Sequence, residues 1–157
     1  MQRSSSLRTP LTRLRRPPGA HRQACHRPFR RQHPPQNPDN PQARVSGLAQ
    51  LSLDKQFHGN LDATSQGEML AAGDGTTSGA CVALEKISGK LHGRSGSFVL
   101  LHRALMVDGM PQEWTVAVVP GSGTGELAGL GGAMTITVAN GKHGYDLGYT
   151  LPGRRAA

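Results

Sequence analysis

Residues 79–102 constrain the fold of this chain more than any other stretch. Apolar residues alternate with other residues on both sides of a bend that contains Gly93. Two alternating runs joined by a short glycine-containing bend are typical of a long β-hairpin. The predicted strands also carry Glu85 and His102, two ionisable residues among apolar neighbours. We therefore expect this hairpin to form the centre of the fold and to hold its most unusual side chains.

Shorter alternating runs continue on both sides of the hairpin. Residues 143–151 alternate clearly, and residues 114–119 have the composition of a strand. Residues 45–58 contain a weaker alternating run, which a further segment over residues 60–72 follows. The dipeptides Asp108-Gly109 and Asn140-Gly141 favour tight turns between antiparallel strands, and no part of this region shows a helical period with caps. The sequence thus predicts seven or eight strands in an antiparallel meander. Closing the meander would hide its edges, so we predict an all-β fold, a small antiparallel β-barrel of about eight strands.

The first 44 residues differ sharply in composition from the rest. They contain ten arginines, no lysine, one acidic residue and eight of the eleven prolines, whereas residues 45–157 have a net charge of −1. A segment of this kind buries too little apolar surface to offset the entropy lost on ordering. We predict a disordered basic tail over residues 1–44, a β-barrel domain over residues 45–153 and a C-terminal tail over residues 154–157. In composition the basic tail is typical of an organelle transit peptide. The alternative, which we favour, is a non-functional extension such as a misassigned start.

The composition also excludes several classes of protein. The barrel domain is slightly acidic, so we expect no nucleic acid to bind through the barrel. The two cysteines, Cys25 and Cys81, allow neither a disulfide framework nor a zinc motif. No apolar run approaches the roughly 18 residues of a membrane span, so no membrane partner is predicted. These features fit a reducing compartment, and we expect a cytoplasmic location.

Three blocks of sequence, in order along the chain, carry a family resemblance. They read VALEKISGKLHGRSGSFVLLH at residues 82–102, VVPGSGTGELAGLGGAMTI at residues 118–136 and GKHGYDLGYTL at residues 141–151. These blocks resemble the bacterial family named domain of unknown function 3224, and the match starts at about residue 47. The resemblance implies an allene oxide cyclase-like, calycin-like barrel that is closed or nearly closed and often oligomeric, so a homo-oligomer is one expected state. It implies no known activity.

The sequence departs from the family pattern in three places. Cys81 stands where the family usually has an aromatic residue, and the neighbours of His102 are altered. The family's first strand, which precedes residue 45, has no clear counterpart here. We therefore expect the barrel either to lack one strand or to be completed by residues near 40–47.

Strand alternation groups the candidate site residues by face. His102 shares a face with Phe98 and Leu100, which we expect to point inward. Glu85 shares its face with apolar residues, but the sequence leaves open whether that face looks into the barrel. If it does, burial is expected to raise the pKa of Glu85 so that it could hold or move a proton near neutral pH. The predicted ligand-binding residues are Glu85, His102, His143, Tyr145, Tyr149 and Glu126.

Two alternatives for Glu85 stay open at this point. It could form a buried structural pair with His102 or a tyrosine, in which both partners satisfy each other. It could also point outward, towards Arg94. Perturbed polar groups mark functional sites only statistically, so the sequence alone does not choose among these three roles.

Other kinds of site have little support. The glycine-rich loop at residues 121–125 lacks the Lys-Ser/Thr of a phosphate-binding loop, and no helix is predicted after it, so we interpret it as a tight connection between strands. The histidines of the barrel domain do not have the spacing of metal ligands. No serine lies in a nucleophile elbow. We predict no metal, no cofactor and no nucleophilic hydrolysis.

The leading hypothesis is that the barrel binds a small apolar or amphipathic molecule. One alternative is an isomerase- or cyclase-like enzyme, which rests on analogy of fold alone. The other is a structural or oligomeric module with a solid core, which a filled interior would favour. Trp114, the only tryptophan, is predicted to be largely buried in the barrel or in an oligomer contact.

Overall fold

The chain folds into one antiparallel sheet. The structure is a computed structural model, and it describes residues 24–25, 41–74, 77–139 and 142–152. The elements, in chain order, are β1 (Ala24–Cys25), the short helix α1 (Pro41–Val45), β2 (Ala49–Phe57), β3 (Leu61–Gly73), β4 (Gly79–Leu91), β5 (Arg94–Val107), β6 (Met110–Val118), a 3₁₀ turn (Gly125–Leu127), β7 (Gly131–Ala139) and β8 (Lys142–Thr150). The sheet order is β1-β8-β7-β6-β5-β4-β3-β2, so the predicted all-β meander is confirmed.

The two ends of the meander meet through side chains. Among the described residues, β2 and β8 share no backbone ladder, so the sheet is not closed by hydrogen bonds. The ring of Tyr145 on β8 nevertheless packs edge-on against Phe57 at the end of β2, with 5.2 Å between ring centroids. Its hydroxyl donates a hydrogen bond of 3.2 Å to the carbonyl oxygen of His58. The sheet therefore curls into a barrel-like shape whose seam is formed by these side chains.

The predicted hairpin is the longest pair of strands. Leu91 pairs with Arg94, so the turn consists of His92 and Gly93 alone. Both turn residues have positive φ, 48° and 79°, as the right-handed twist of a two-residue hairpin requires. The register that follows places Glu85 opposite Leu100.

A glycine allows β3 and β4 to approach closely beside Glu85. Gly67 lies directly opposite Glu85 in the strand register. A Cβ at this position would collide with the carbonyl oxygen of Leu84 and would lie 2.7 Å from the Cα of Glu85. Only a residue without a side chain fits, which is the usual reason for glycine inside a strand where a sheet bends sharply.

The interior is divided into a packed half and a hollow half. Towards the β4–β5 turn the inward side chains form a continuous core, and its members are Phe57, Leu61, Ala63, Ile87, Leu91, Phe98, Leu100, Val116, Val118, Leu127, Leu130, Met134, Tyr145 and Leu147. Towards the opposite ends of β4 and β5 the inward positions carry smaller or more polar residues and line a cavity. The burial of the core supplies the apolar driving force for the fold.

The predicted tails and the predicted Asn140-Gly141 turn fall partly or wholly outside the described residues. Residues 1–23, 26–40 and 153–157 lie outside them, as do Asn140 and Gly141 of the predicted turn, so disorder of the tail stays a prediction. Within the predicted tail, Ala24 and Cys25 pair with Asp146 and Tyr145 of β8. Residues 41–45 form helix α1 rather than a strand that completes the barrel. No helix in the described part of the chain is long and apolar enough to cross a membrane.

Candidate functional site

Four polar side chains form one layer between the packed half and the hollow half of the barrel. Lys55 of β2, Ser65 of β3, Glu85 of β4 and His102 of β5 all point inward and are buried. Each lies on the face that the period-two alternation of its strand directs to the interior. Four adjacent strands thus contribute one polar group each at the same depth.

Glu85 is the centre of this polar layer. Its side chain has no exposed surface. The Nζ of Lys55 donates a hydrogen bond of 2.7 Å to Oε2 of Glu85, and the hydroxyl of Ser65 donates to the other carboxylate oxygen, Oε1. Nε2 of His102 lies 2.7 Å from Oε2 as well. That contact has the distance of a hydrogen bond but not its alignment, since Nε2 has no hydrogen-bond partner among the described residues.

The surroundings of Glu85 keep it ionised. Burial by itself raises the pKa of this carboxyl, but the polar contacts with His102, Lys55 and Ser65 outweigh burial and lower the pKa from 4.5 to about 2. The raised pKa expected from the sequence is therefore wrong, because Lys55, Ser65 and His102 surround a group that was expected to have apolar neighbours. With so low a pKa, Glu85 is poorly matched to general acid–base work near neutral pH.

The hollow half contains a cavity of about 510 Å³. Strands β2 to β7 all contribute to its walls, which are mostly apolar and include Leu51, Met69, Cys81, Met106, Trp114 and Ile136. Lys55 and His102 also line the cavity, whereas Glu85 and Ser65 do not. The exposed residues Asp74 and Pro111 lie at its rim. The polar layer is therefore the floor of a cavity that opens to solvent at the rim, with the carboxylate hidden beneath the two basic side chains.

Comparison with known proteins covers most of the chain and identifies its family. A family model described as "Protein of unknown function (DUF3224)" matches residues 26–149. The chain belongs to the DUF3224 family. The matched range begins inside the predicted basic tail, further towards the N-terminus than the three sequence blocks indicate.

A solved structure supports the DUF3224 assignment. The chain is similar to a protein of unknown function from the DUF3224 family of Shewanella oneidensis MR-1, solved at 1.84 Å resolution. The two are 40% identical, with a TM-score of 0.74, and the match covers 85% of this chain and 98% of the other. No curated protein matches the chain. The family assignment thus carries a fold but no activity.

The fold of the present DUF3224 chain brings together only part of the site predicted from its sequence. Glu85 and His102 meet, and of the two only His102 reaches the cavity wall. Tyr145 is in the core and forms the seam with Phe57. Tyr149 packs against the same core, with its ring centroid 5.9 Å from that of His92 near the hairpin turn. The tyrosines therefore lie away from the cavity.

Two further predicted residues do not join the polar layer. Glu126 is exposed in the 3₁₀ turn, and its Oε2 accepts a hydrogen bond of 2.9 Å from the backbone N–H of Ser95, near the start of β5. The side chain of His143 lies outside the described residues. The sequence prediction of a single site made of six residues reduces in this DUF3224 chain to the Glu85–His102 contact.

Sequence reasoning missed Lys55 and Ser65. The signal for Lys55 is present, because Leu51, Leu53, Lys55 and Phe57 occupy alternate positions in β2, so the lysine must share the apolar face. Ser65 likewise alternates with Leu61 and Ala63 in β3. A lysine on the buried face of a strand is rare without a partner, and this pattern predicts a buried acid nearby.

Hydrogen bonds hold the glycine-rich loop at residues 121–125 against β5. The N–H of Thr124 donates to the carbonyl of Ser97 at 2.8 Å, and the N–H of Ser97 donates to the hydroxyl of Thr124 at 3.0 Å. These contacts tie the loop to β5 as a tight connection. Within the described residues of the DUF3224 chain, no group of three or more metal-binding side chains is found.

Proposed function

We propose that this protein binds a small apolar or amphipathic molecule in the hollow half of its barrel. The observation that carries the proposal is a cavity of about 510 Å³ with mostly apolar walls and two basic side chains at its floor. Small-molecule sites are typically concave, of roughly 300–1,000 Å³, and apolar apart from a few placed polar groups. The cavity has the size and the lining of such a site.

The packing of the interior favours binding over a purely structural role. A solid module would have a core made of Phe98, Leu100, Met106, Trp114 and Tyr149. Phe98 and Leu100 are buried in the packed half and Tyr149 packs against it, but Met106 and Trp114 line the cavity instead. A fold that needed only stability would be better served by filling this space, because each unfilled volume forfeits packing contacts.

Nile red, a neutral solvatochromic dye, provides the test. We expect saturable binding with a blue shift of the dye emission at one site per chain. Ala104→Phe places a phenyl ring in the cavity, because Ala104 lines it opposite Trp114, and should abolish binding. Ala133→Phe, at an exposed position of β7, is the matched control and should bind as the unmodified protein does. Absence of saturable binding, or equal binding by both variants, would contradict the proposal.

A further inference from the structure

The charged groups of the cavity are separated along its depth. At the floor lie Lys55 and His102, and at the rim lies Asp74. Asp74 is engaged in its own turn, since its Oδ1 accepts hydrogen bonds from the backbone N–H groups of Thr77 at 2.7 Å and Ser78 at 3.0 Å. The remaining side chains of the wall are apolar or are weak polar groups such as the thiol of Cys81. The floor therefore carries basic groups and the rim carries an acid that is already bonded.

The carboxylate beneath the floor does not compete for a ligand in the cavity. Glu85 is fully buried and is not part of the cavity wall. Its two oxygens already have Lys55, His102 and Ser65 as neighbours. Glu85 thus acts as a fixed anchor that holds the two basic side chains at the wall, in the way that an outer carboxylate orients a functional group in front of it.

This arrangement selects the kind of head group that could occupy the floor. The wall at the floor presents N–H donors from a lysine and a histidine and, among the side chains of the described residues, no strong acceptor. A ligand group placed there must accept hydrogen bonds, and an anion forms the stronger, charge-assisted kind. An alkylammonium group would instead face a lysine of the same charge.

The charge balance of the polar layer indicates that binding of an anion is accompanied by uptake of a proton. With His102 neutral, Lys55 and Glu85 cancel, so a bound monoanion would leave the layer with a net charge of −1 in a poorly hydrated place. A proton taken up by His102 restores neutrality. The groups that face His102 are Lys55 from β2, Glu85 and the uncharged Ala83 from β4, and the uncharged Val116 from β6. His102 is therefore the member of the layer to which we assign that proton.

We infer that the molecule bound in the cavity is an amphiphilic monocarboxylate whose carboxylate lies at Lys55 and His102 and whose apolar part extends towards the rim. The inference rests on the function proposed above. It adds the chemical class of the ligand, its orientation, and the uptake of a proton at His102 on binding.

The test compares decanoate, decanol and decylammonium, which share one apolar chain and differ in the head group. Each is used to displace Nile red from the protein at about pH 6 and about pH 8. At about pH 6 we expect decanoate to bind at least about tenfold more tightly than decanol, which corresponds to roughly 1.4 kcal/mol, and decylammonium to bind most weakly. The advantage of decanoate over decanol should shrink at about pH 8, because binding that takes up a proton becomes less favourable as the proton concentration falls.

Two variants test whether the preference for decanoate over decanol depends on the side chains at the floor of the cavity. The double variant Lys55→Met with Glu85→Gln removes both charges together, so no buried charge is left without its partner. It should lose most of the advantage of decanoate over decanol. Lys86→Met, an exposed lysine of β4 next to Glu85 in sequence, is the matched control and should keep the advantage. If the double variant does not fold, the comparison of the three ligands at two pH values on the unmodified protein still decides whether the cavity prefers a carboxylate.

The outcomes separate the two proposals. Equal displacement by decanoate and decanol would overturn the carboxylate inference and leave binding in the cavity intact. Saturable Nile red binding that no ligand displaces would also overturn the carboxylate inference. Absence of any Nile red binding would overturn both. A preference for decanoate that is the same at both pH values would overturn the role given to His102.

Discussion

His102 and Glu85 contact each other diagonally across the β4–β5 hairpin. Nε2 of His102 lies 2.7 Å from Oε2 of Glu85, although the strand register places Glu85 opposite Leu100 and His102 opposite Ala83. An offset of two positions keeps both side chains on the same face of the sheet, and long side chains reach across such a diagonal. Lys55 approaches the same oxygen from β2. With Ser65 of β3 bonded to its other oxygen, the carboxylate links four strands, and its partners should behave as one energetic unit.

The first prediction is that changes in this unit are not additive. Glu85→Gln leaves the buried ammonium of Lys55 facing an uncharged amide and should lower the free energy of unfolding by roughly 3–5 kcal/mol. Lys55→Met should cost a similar amount, because it leaves the carboxylate with one partner fewer. The double variant should lose clearly less than the sum of the two single changes. Urea unfolding of the three variants measures these differences.

An exposed ion pair provides the control. Arg103 and Glu113 also lie 2.7 Å apart, but their side chains are 61% and 51% exposed. Glu113→Gln should change the free energy of unfolding by less than about 1 kcal/mol. Additive losses from the Glu85 and Lys55 changes would show that the two groups act independently.

The second prediction concerns the stability of the fold at low pH. The pKa of Glu85 is about 2 in the folded chain, against its ordinary value of 4.5. The unfolded chain therefore takes up this proton at a higher pH than the folded chain, and the stability due to ionised Glu85 is complete above pH 4.5 and lost as the pH falls from there towards 2. Between these values the unmodified protein should lose stability more steeply than Glu85→Gln. Denaturant unfolding at a series of pH values measures both slopes, and parallel slopes would count against the low pKa.

The third prediction concerns Trp114. The sequence predicted a largely buried tryptophan, but in the single chain its side chain is at the cavity wall and the residue is 37% exposed. Its fluorescence should be quenched readily by acrylamide in the free protein and should be protected when Nile red occupies the cavity. Trp114→Ala should cost less than about 3 kcal/mol, the lower end for a tryptophan in a core. Quenching that is weak without a ligand and unchanged with one would contradict this placement.

The fourth prediction uses two glycines of the sheet. Gly67→Ala should destabilise the fold by about 2 kcal/mol or more, because the added Cβ meets the backbone of Leu84 and Glu85. Gly131→Ala is the matched control, since the nearest atom to its added Cβ is Oγ1 of Thr150 at 3.5 Å, an ordinary contact. Thermal melts of the two variants should differ clearly. Equal melting temperatures would mean that the strands around Glu85 can move apart at little cost.

Strand alternation predicts much of this fold because one face of each strand is buried. The hairpin, its inward face and the inward direction of His102 follow from a period of two residues. Register is harder to predict from sequence. A bend assigned near Gly93 fits more than one pairing, and only the positive φ of both His92 and Gly93 fixes the turn at two residues. The offset between Glu85 and His102 depends on that detail.

The electrostatics of the site could not be predicted without the neighbours of Glu85. A carboxylate in an apolar strand has a raised pKa if it is alone and a lowered pKa if donors converge on it. Here the donors come from β2 and β3, thirty and twenty residues earlier in the chain. The partner of Tyr145 is similarly remote, because Phe57 meets it only when the meander curls on itself.

The division of the interior into a packed half and a hollow half has a consequence for how this protein could diversify. Mutations that reshape the walls of the cavity change side chains that contribute little to the packed core, so they should seldom unfold the chain. Leu51, Met69 and Met106, for example, line the cavity but do not belong to the core cluster. Under the proposed function, relatives with the same core can therefore evolve preferences for different molecules by changing the hollow half alone.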